Sequence, residues 1–168
     1  SISKNNITSK TSRFEVDLNR PPEKAVYLKP EDSWGLKVWK EEIPEDIYKR
    51  SLQKHKDFYT KLEAEINKHL INNKTIVVYD LHSYNYKRNG ADKPAEEDFQ
   101  NPEINLGTGT LDREKWTPII DRFISETRNY NFMGRSLDIR ENVKFKGGYF
   151  PRWVHEKFPS SVCSLSIE

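Results

Sequence analysis

Asp80-Leu81-His82-Ser83 closes a short apolar run, Ile76-Val77-Val78, and residues 80 and 82 share one face if the strand continues that far. Open α/β sheets gather their ligands at the carboxyl ends of strands. A neutral His82 imidazole there can bind zinc, with the Asp80 carboxylate beside it to orient the ring. The bland alternative is a hydrogen-bonded strand-end histidine with no chemistry. Asp17-Leu18-Asn19-Arg20 ends a second alternating segment. The planar fork of Arg20 suits two-point recognition of a carboxylate, and Asn19 adds a donor beside it. A salt bridge to Asp17 flanking a turn would account for the same residues.

Glu168 follows the apolar-alternating segment Val162 to Ile167. A partly desolvated glutamate has its pKa raised toward the range of a general base, whereas a solvated loop residue does not. Asn142, Gly147, Gly148, Tyr149 and Arg152 fall within eleven residues. The glycines allow close backbone approach, and Tyr149 or Arg152 can close over an anion, or the tyrosine simply packs on a turn. Gly107-Thr108-Gly109 lacks the spacing and the Lys-Ser/Thr ending of a phosphate loop. His55 and His69 are expected to be helix-face or core histidines, and His155, next to Glu156, is expected on a surface turn. Cys163 reads as a structural thiol, since no basic group lies near it in sequence.

The elements that must position these groups follow from pattern. Arg13 to Arg20 alternates in period two, with Phe14, Val16 and Leu18 on one side, and predicts a strand that Pro21-Pro22 ends. Pro44, Glu45 and Asp46 open a helix whose apolar residues recur at three and four as far as Leu70. Ile76-Val77-Val78 predicts a strand buried on both faces, and residues 85–102 a surface loop. A short strand at Ile104 and Leu106 precedes a helix capped by Asp112 and running to Tyr130, with Trp116, Ile119, Ile120, Phe123 and Ile124 inward. Leu137 to Arg140, a helical turn from Arg152 to Lys157, and Val162 to Ile167 complete the list. Strands alternating with helices predict an α/β fold, a mixed sheet flanked by helices.

At 168 residues the chain amounts to about one domain, long enough to bury a core. Charged residues are 32% of the chain, but 28 Lys and Arg nearly balance 26 Asp and Glu. That leaves no polybasic footprint for nucleic acid or an anionic membrane. The sequence has no apolar run of transmembrane length and no signal-peptide core. The one cysteine cannot form an internal disulfide, which favours a reducing, cytoplasmic setting. Oligomeric state is not written in the sequence. A chain that starts at a serine and stops directly after an apolar strand is expected to be a single domain over 1–168, truncated at its N-terminus and cut at its C-terminus.

In this order, SRFEVDLNRPP, VVYDLHSYN, NPEINLGT, ENVKFKGGYFPRWV and VCSLSIE resemble the N-formylglutamate amidohydrolase family. That family is similar in fold and site to the zinc carboxypeptidases, so the resemblance implies a phosphorylase/hydrolase-like, zinc carboxypeptidase-like fold. It implies that His82 is a zinc ligand with Asp80 behind it, and that Asn19 and Arg20 hold the substrate carboxylate. Glu168 would be the general base, with Asn142, Tyr149 and Arg152 bordering the substrate pocket. Arg13 is available for the arginine beside the reacting carbonyl, although its spacing does not compel it. The implied reaction is hydrolysis of N-formyl-L-glutamate, or a related N-acyl acidic amino acid, with one zinc ion as cofactor. The resemblance also implies a further His and an acidic ligand upstream of DLNR, yet residues 1–11 contain no His, Asp or Glu. Those ligands are expected either from upstream sequence or not at all. The second case leaves a non-catalytic domain that binds an acidic metabolite. A peptidase acting on C-terminal residues is the remaining alternative.

Overall fold

The computed structural model describes residues 5–87, 90 and 92–168. Its contacts fall into two compact units, Ser1–Lys74 and Thr75–Glu168.

In the first unit, helix α1 (Glu45–Leu70) begins where expected, with Pro44 at its N-cap and Glu45 and Asp46 in its first turn. Both carboxylates suit the positive end of the helix. The buried face is Ser51, His55, Tyr59, Leu62 and Ile66, at the expected spacing of three and four, although two of its five residues are polar. Two side chains on this face reach back to the preceding segment: Tyr59 Oη donates to the Leu18 carbonyl at 2.6 Å, and the His55 ring contacts the Arg20 carbonyl at 2.9 Å. Helix α1 thereby holds the backbone of residues 18–20.

The strand expected over Arg13 to Arg20 is not present; this segment is a series of turns. The N–H groups of Glu15 and Val16 both reach the Ser12 carbonyl, and Asp17 N–H reaches Ala25 O at 2.7 Å. Asp17 also folds its side chain back onto the Asn19 N–H at 3.0 Å, the local hydrogen bond that makes aspartate a turn residue. Of the three alternating apolar residues only Val16 is buried. Period two marks a half-buried strand only where another strand lies alongside, and here a side-chain-capped turn takes its place.

The second unit is a four-stranded sheet in the order β1-β4-β2-β3, comprising β1 (Ile76–Leu81), β2 (Ile104–Gly107), β3 (Ile139–Glu141) and β4 (Val162–Ile167). Strands β1 and β4 pair parallel, β4 and β2 antiparallel, and β2 and β3 parallel, so the sheet is mixed. Helices α2 (Thr117–Asn129) and α3 (Tyr149–Lys157) accompany it. Leu106, Trp116, Ile120, Ile139, Cys163 and Leu165 form the core. The strand buried on both faces is β4, not β1. Strand β1 lies at the sheet edge, so Ile76, Val77 and Val78 are only half-buried and Tyr79 is 48% exposed. Helix α2 starts one turn later than expected, because Asp112 caps a preceding turn through the Lys115 N–H. Among the described residues no helix is long and apolar enough to cross a membrane.

Candidate functional site

Parallel pairing sets Leu81 of β1 beside Ile167 of β4, so the next residues, His82 and Glu168, leave the sheet at neighbouring carboxyl ends. The backbone holds both. His82 N–H donates to Ile167 O at 2.8 Å, and Glu168 exchanges two 3.0 Å hydrogen bonds with Asn105, which extends the β4–β2 ladder by one pair. His82 and Glu168 line the same cleft, of about 450 Å³, together with Ser83, Tyr84, Asn101 and Ile104 among others. Asp80 lies behind the histidine. Its Oδ1 is 2.8 Å from His82 Nε2, without the alignment of a hydrogen bond, and its Oδ2 accepts from Ser166 Oγ at 3.2 Å.

Tyr84 and Asn101, which the sequence reading does not single out, also line the cleft, and further side chains hold them in place. Tyr84 donates its hydroxyl to the Pro102 carbonyl and sets its ring edge-on to Phe145. Burial raises the pKa of this phenol, which keeps it protonated as a donor. Lys144 pairs with Glu96 and reaches Asn101 Oδ1 at 2.5 Å. Asn105, fully buried, clamps residues 144 and 145 by accepting both N–H groups and donating to Phe145 O. Tyr84, Asn101 and Asn105 sit inside SYN and NPEIN, the segments that carried the resemblance, and that was the available signal.

Asn142, Tyr149 and Arg152 do not line this cleft. Asn142 has a left-handed φ of 57° and gives its amide to Thr108, accepting the backbone N–H at 2.9 Å and donating to Oγ1 at 2.8 Å. Tyr149 begins α3, and Arg152 is exposed on it. The Gly107-Thr108-Gly109 stretch is a close-packing device. A Cβ on Gly107 would lie 2.8 Å from the Gly147 nitrogen, and Gly109 N–H donates to Lys146 O at 2.7 Å. His155 is not on a surface turn: it is buried in α3, where its Nε2 accepts the Ser164 N–H at 3.0 Å. Cys163 is buried, which pushes its thiol up to about 11.

In the first unit, Arg13, Asn19 and Arg20 gather around Asp17, which is 2% exposed. Arg13 donates to Asp17 Oδ2 at 2.9 Å and the Tyr27 hydroxyl donates to the same oxygen. Burial followed by the hydrogen bond to Asp17 pushes the Tyr27 hydroxyl up to about 12. Burial acts most strongly, against the Arg13 charge, but attraction and hydrogen bonding to Asp17 together with Tyr27 outweigh it and the pKa rises. Arg20 is held differently: its Nε is 3.6 Å from Asp17, and its guanidinium lies 4.7 Å from the Tyr27 ring centre. Both guanidiniums lie beside the Asp17 carboxylate, and Asp32 is near enough to interact with Arg20 as well.

A catalytic zinc needs about three protein ligands. Among the described residues no three His, Cys, Asp or Glu side chains come together as a metal set. The cleft offers one imidazole, so its residues do not fit a zinc by themselves.

Compared with known protein families, residues 2–168 match the one described as N-formylglutamate amidohydrolase. No curated protein and no solved structure matches the chain.

Proposed function

The chain belongs to the N-formylglutamate amidohydrolase family, and on that premise we propose that it hydrolyses the amide of N-formyl-L-glutamate, or of a closely related N-acyl acidic amino acid, in the cytoplasm. Family membership carries the coarser statement, a hydrolase of amide bonds acting on a small substrate. The finer reading is carried by one observation: His82 and Glu168 line one cleft at the adjacent carboxyl ends of β1 and β4.

Glu168 is the proposed general base. Its carboxylate accepts a proton from water as the water oxygen bonds to the formyl carbon, and the proton then passes to the amide nitrogen as the C–N bond breaks. Formate and glutamate leave. Arg20, with Asn19, is proposed to hold the substrate carboxylate, as a guanidinium with unspent donors can, and Arg13 stays available for the reacting carbonyl or for the carboxylate. Asn142 has its amide spent on Thr108 and is read as structural. His82 is the proposed metal-facing group of this chain, with Asp80 orienting it. Release of formate from N-formyl-L-glutamate, lost in Glu168→Gln, is the test.

A second reading is a domain that binds the acidic amino acid without cleaving it, since the described residues bring together no three-ligand metal set. Tight binding of N-formyl-L-glutamate with no formate released would select it.

A further inference from the structure

Trp34 is exposed over 59% of its surface, yet it is not a casual surface residue. It has a left-handed backbone, φ 56° and ψ 34°, at the end of the short helix Pro30–Ser33. A tryptophan keeps such a conformation only where its surroundings enforce it. They do so here: Gly35 N–H reaches Pro30 O at 2.8 Å, and the hydroxyl of fully buried Ser33 donates to Leu36 O at 2.7 Å. The turn thus presents an aromatic face that burial does not account for.

The groups around that face are the two arginines. The Arg13 guanidinium is 5.2 Å from the Trp34 ring centre and that of Arg20 is 5.9 Å away, while the Tyr27 ring stands edge-on to Trp34 at 6.0 Å. Cations within about 6 Å of an indole face are attracted by its quadrupole. For Arg20 this matters more than usual. Its guanidinium is only partly exposed, and among the described residues it has no hydrogen-bond acceptor, since Asp17 at 3.6 Å is beyond reach. Ring faces hold a guanidinium in place without using its N–H groups, and so leave the fork for a ligand.

We propose that Trp34 is a positioning residue for the carboxylate-binding arginines: with Tyr27, it holds Arg13 and Arg20 over one aromatic shelf so that they act as a single two-armed receptor for the carboxylate end of the substrate. This rests on the reading of Arg20 as the carboxylate anchor.

The experiment is calorimetric titration of the 168-residue chain with N-formyl-L-glutamate and with its uncharged dimethyl ester. Trp34→Ala is expected to weaken binding of the dianion about 5- to 30-fold, the effect of losing two ring–cation contacts. It should leave ester binding and the thermal midpoint unchanged, and Trp34→Phe should recover most of the loss. If Arg20→Ala abolishes dianion binding while Trp34→Ala does not alter it, the shelf is refuted and the anchor stands. Equal weakening for dianion and ester would make Trp34 a pocket wall and overturn the inference. If Arg20→Ala binds as well as the unaltered chain, the anchor reading falls and the inference with it. No binding of the dianion to the unaltered chain overturns both.

Discussion

One buried carboxylate, Asp17, is shared by a guanidinium, a phenol and a backbone N–H, and that ratio decides what the second guanidinium can do. Arg13 gives one N–H to Asp17, whereas Arg20 gives it none. Arg20→Ala should therefore raise KM for N-formyl-L-glutamate by about 2–5 kcal/mol in binding terms, with kcat little changed, because it removes a partner of a desolvated charge. Steady-state formate release checks this, and an unchanged KM would exclude the anchoring role. Glu168 makes the complementary case. Glu168→Gln keeps both backbone hydrogen bonds to Asn105 and the shape of the cleft, but it cannot take a proton. Turnover should fall roughly 10²–10⁴-fold at nearly constant KM. A variant that turns over normally would assign the base elsewhere.

At the scale of elements, α3 is fastened to the central strand by an acid-sensitive joint. His155 Nε2 accepts the Ser164 N–H of β4, so it must be unprotonated, while Nδ1 is 3.2 Å from Thr110 Oγ1. Burial lowers its pKa below the roughly 6.5 of an unfolded histidine, and burial lowers that of His55 as well. A depressed pKa means that the unfolded chain binds more protons in this window. The stability from these groups is therefore present above about pH 6.5 and lost as pH falls through the native values. Urea unfolding at pH 7.5 and 5.0 should show that loss, and His155→Gln, which accepts the same hydrogen bond without titrating, should lose less. The junction of β2 with residues 146–147 makes a steric prediction. Gly107→Ala sets a Cβ against the Gly147 backbone, and overpacking of this kind costs about 1–3 kcal/mol. A Gly107→Ala chain as stable as the original would show that this junction can yield.

For the whole molecule the decisive quantity is metal content. The described residues assemble no three-ligand set, so the 168-residue chain purified without chelators should hold well below one zinc per molecule. Elemental analysis measures it directly. Stoichiometric zinc that disappears in His82→Ala would reveal a complete site around that imidazole and favour hydrolysis over simple binding.

Much of this molecule was legible in its residues because the deciding information is local. Pro44 with its acidic neighbours starts α1, a spacing of three and four carries it to Leu70, and both bounds hold. The run from Val162 to Ile167 is a strand with those same limits. The order of five short motifs carries the family, since order along the chain is itself a sequence property. Other features depend on partners far away in sequence, and those were decided only by the tertiary structure. Arg13 to Arg20 alternates like a strand but has no strand beside it, and a turn capped by Asp17 prevails. Strand β1 is apolar enough for the middle of a sheet, but pairing places β4 there. His155 reads as a surface residue until α3 packs against β4 and its ring becomes an acceptor. His82 and Glu168 stand at opposite ends of the second unit's sequence, and parallel pairing of β1 with β4 is what sets them on one cleft. Periodicity and capping are properties of neighbours along the chain, whereas burial and pairing are properties of neighbours in space.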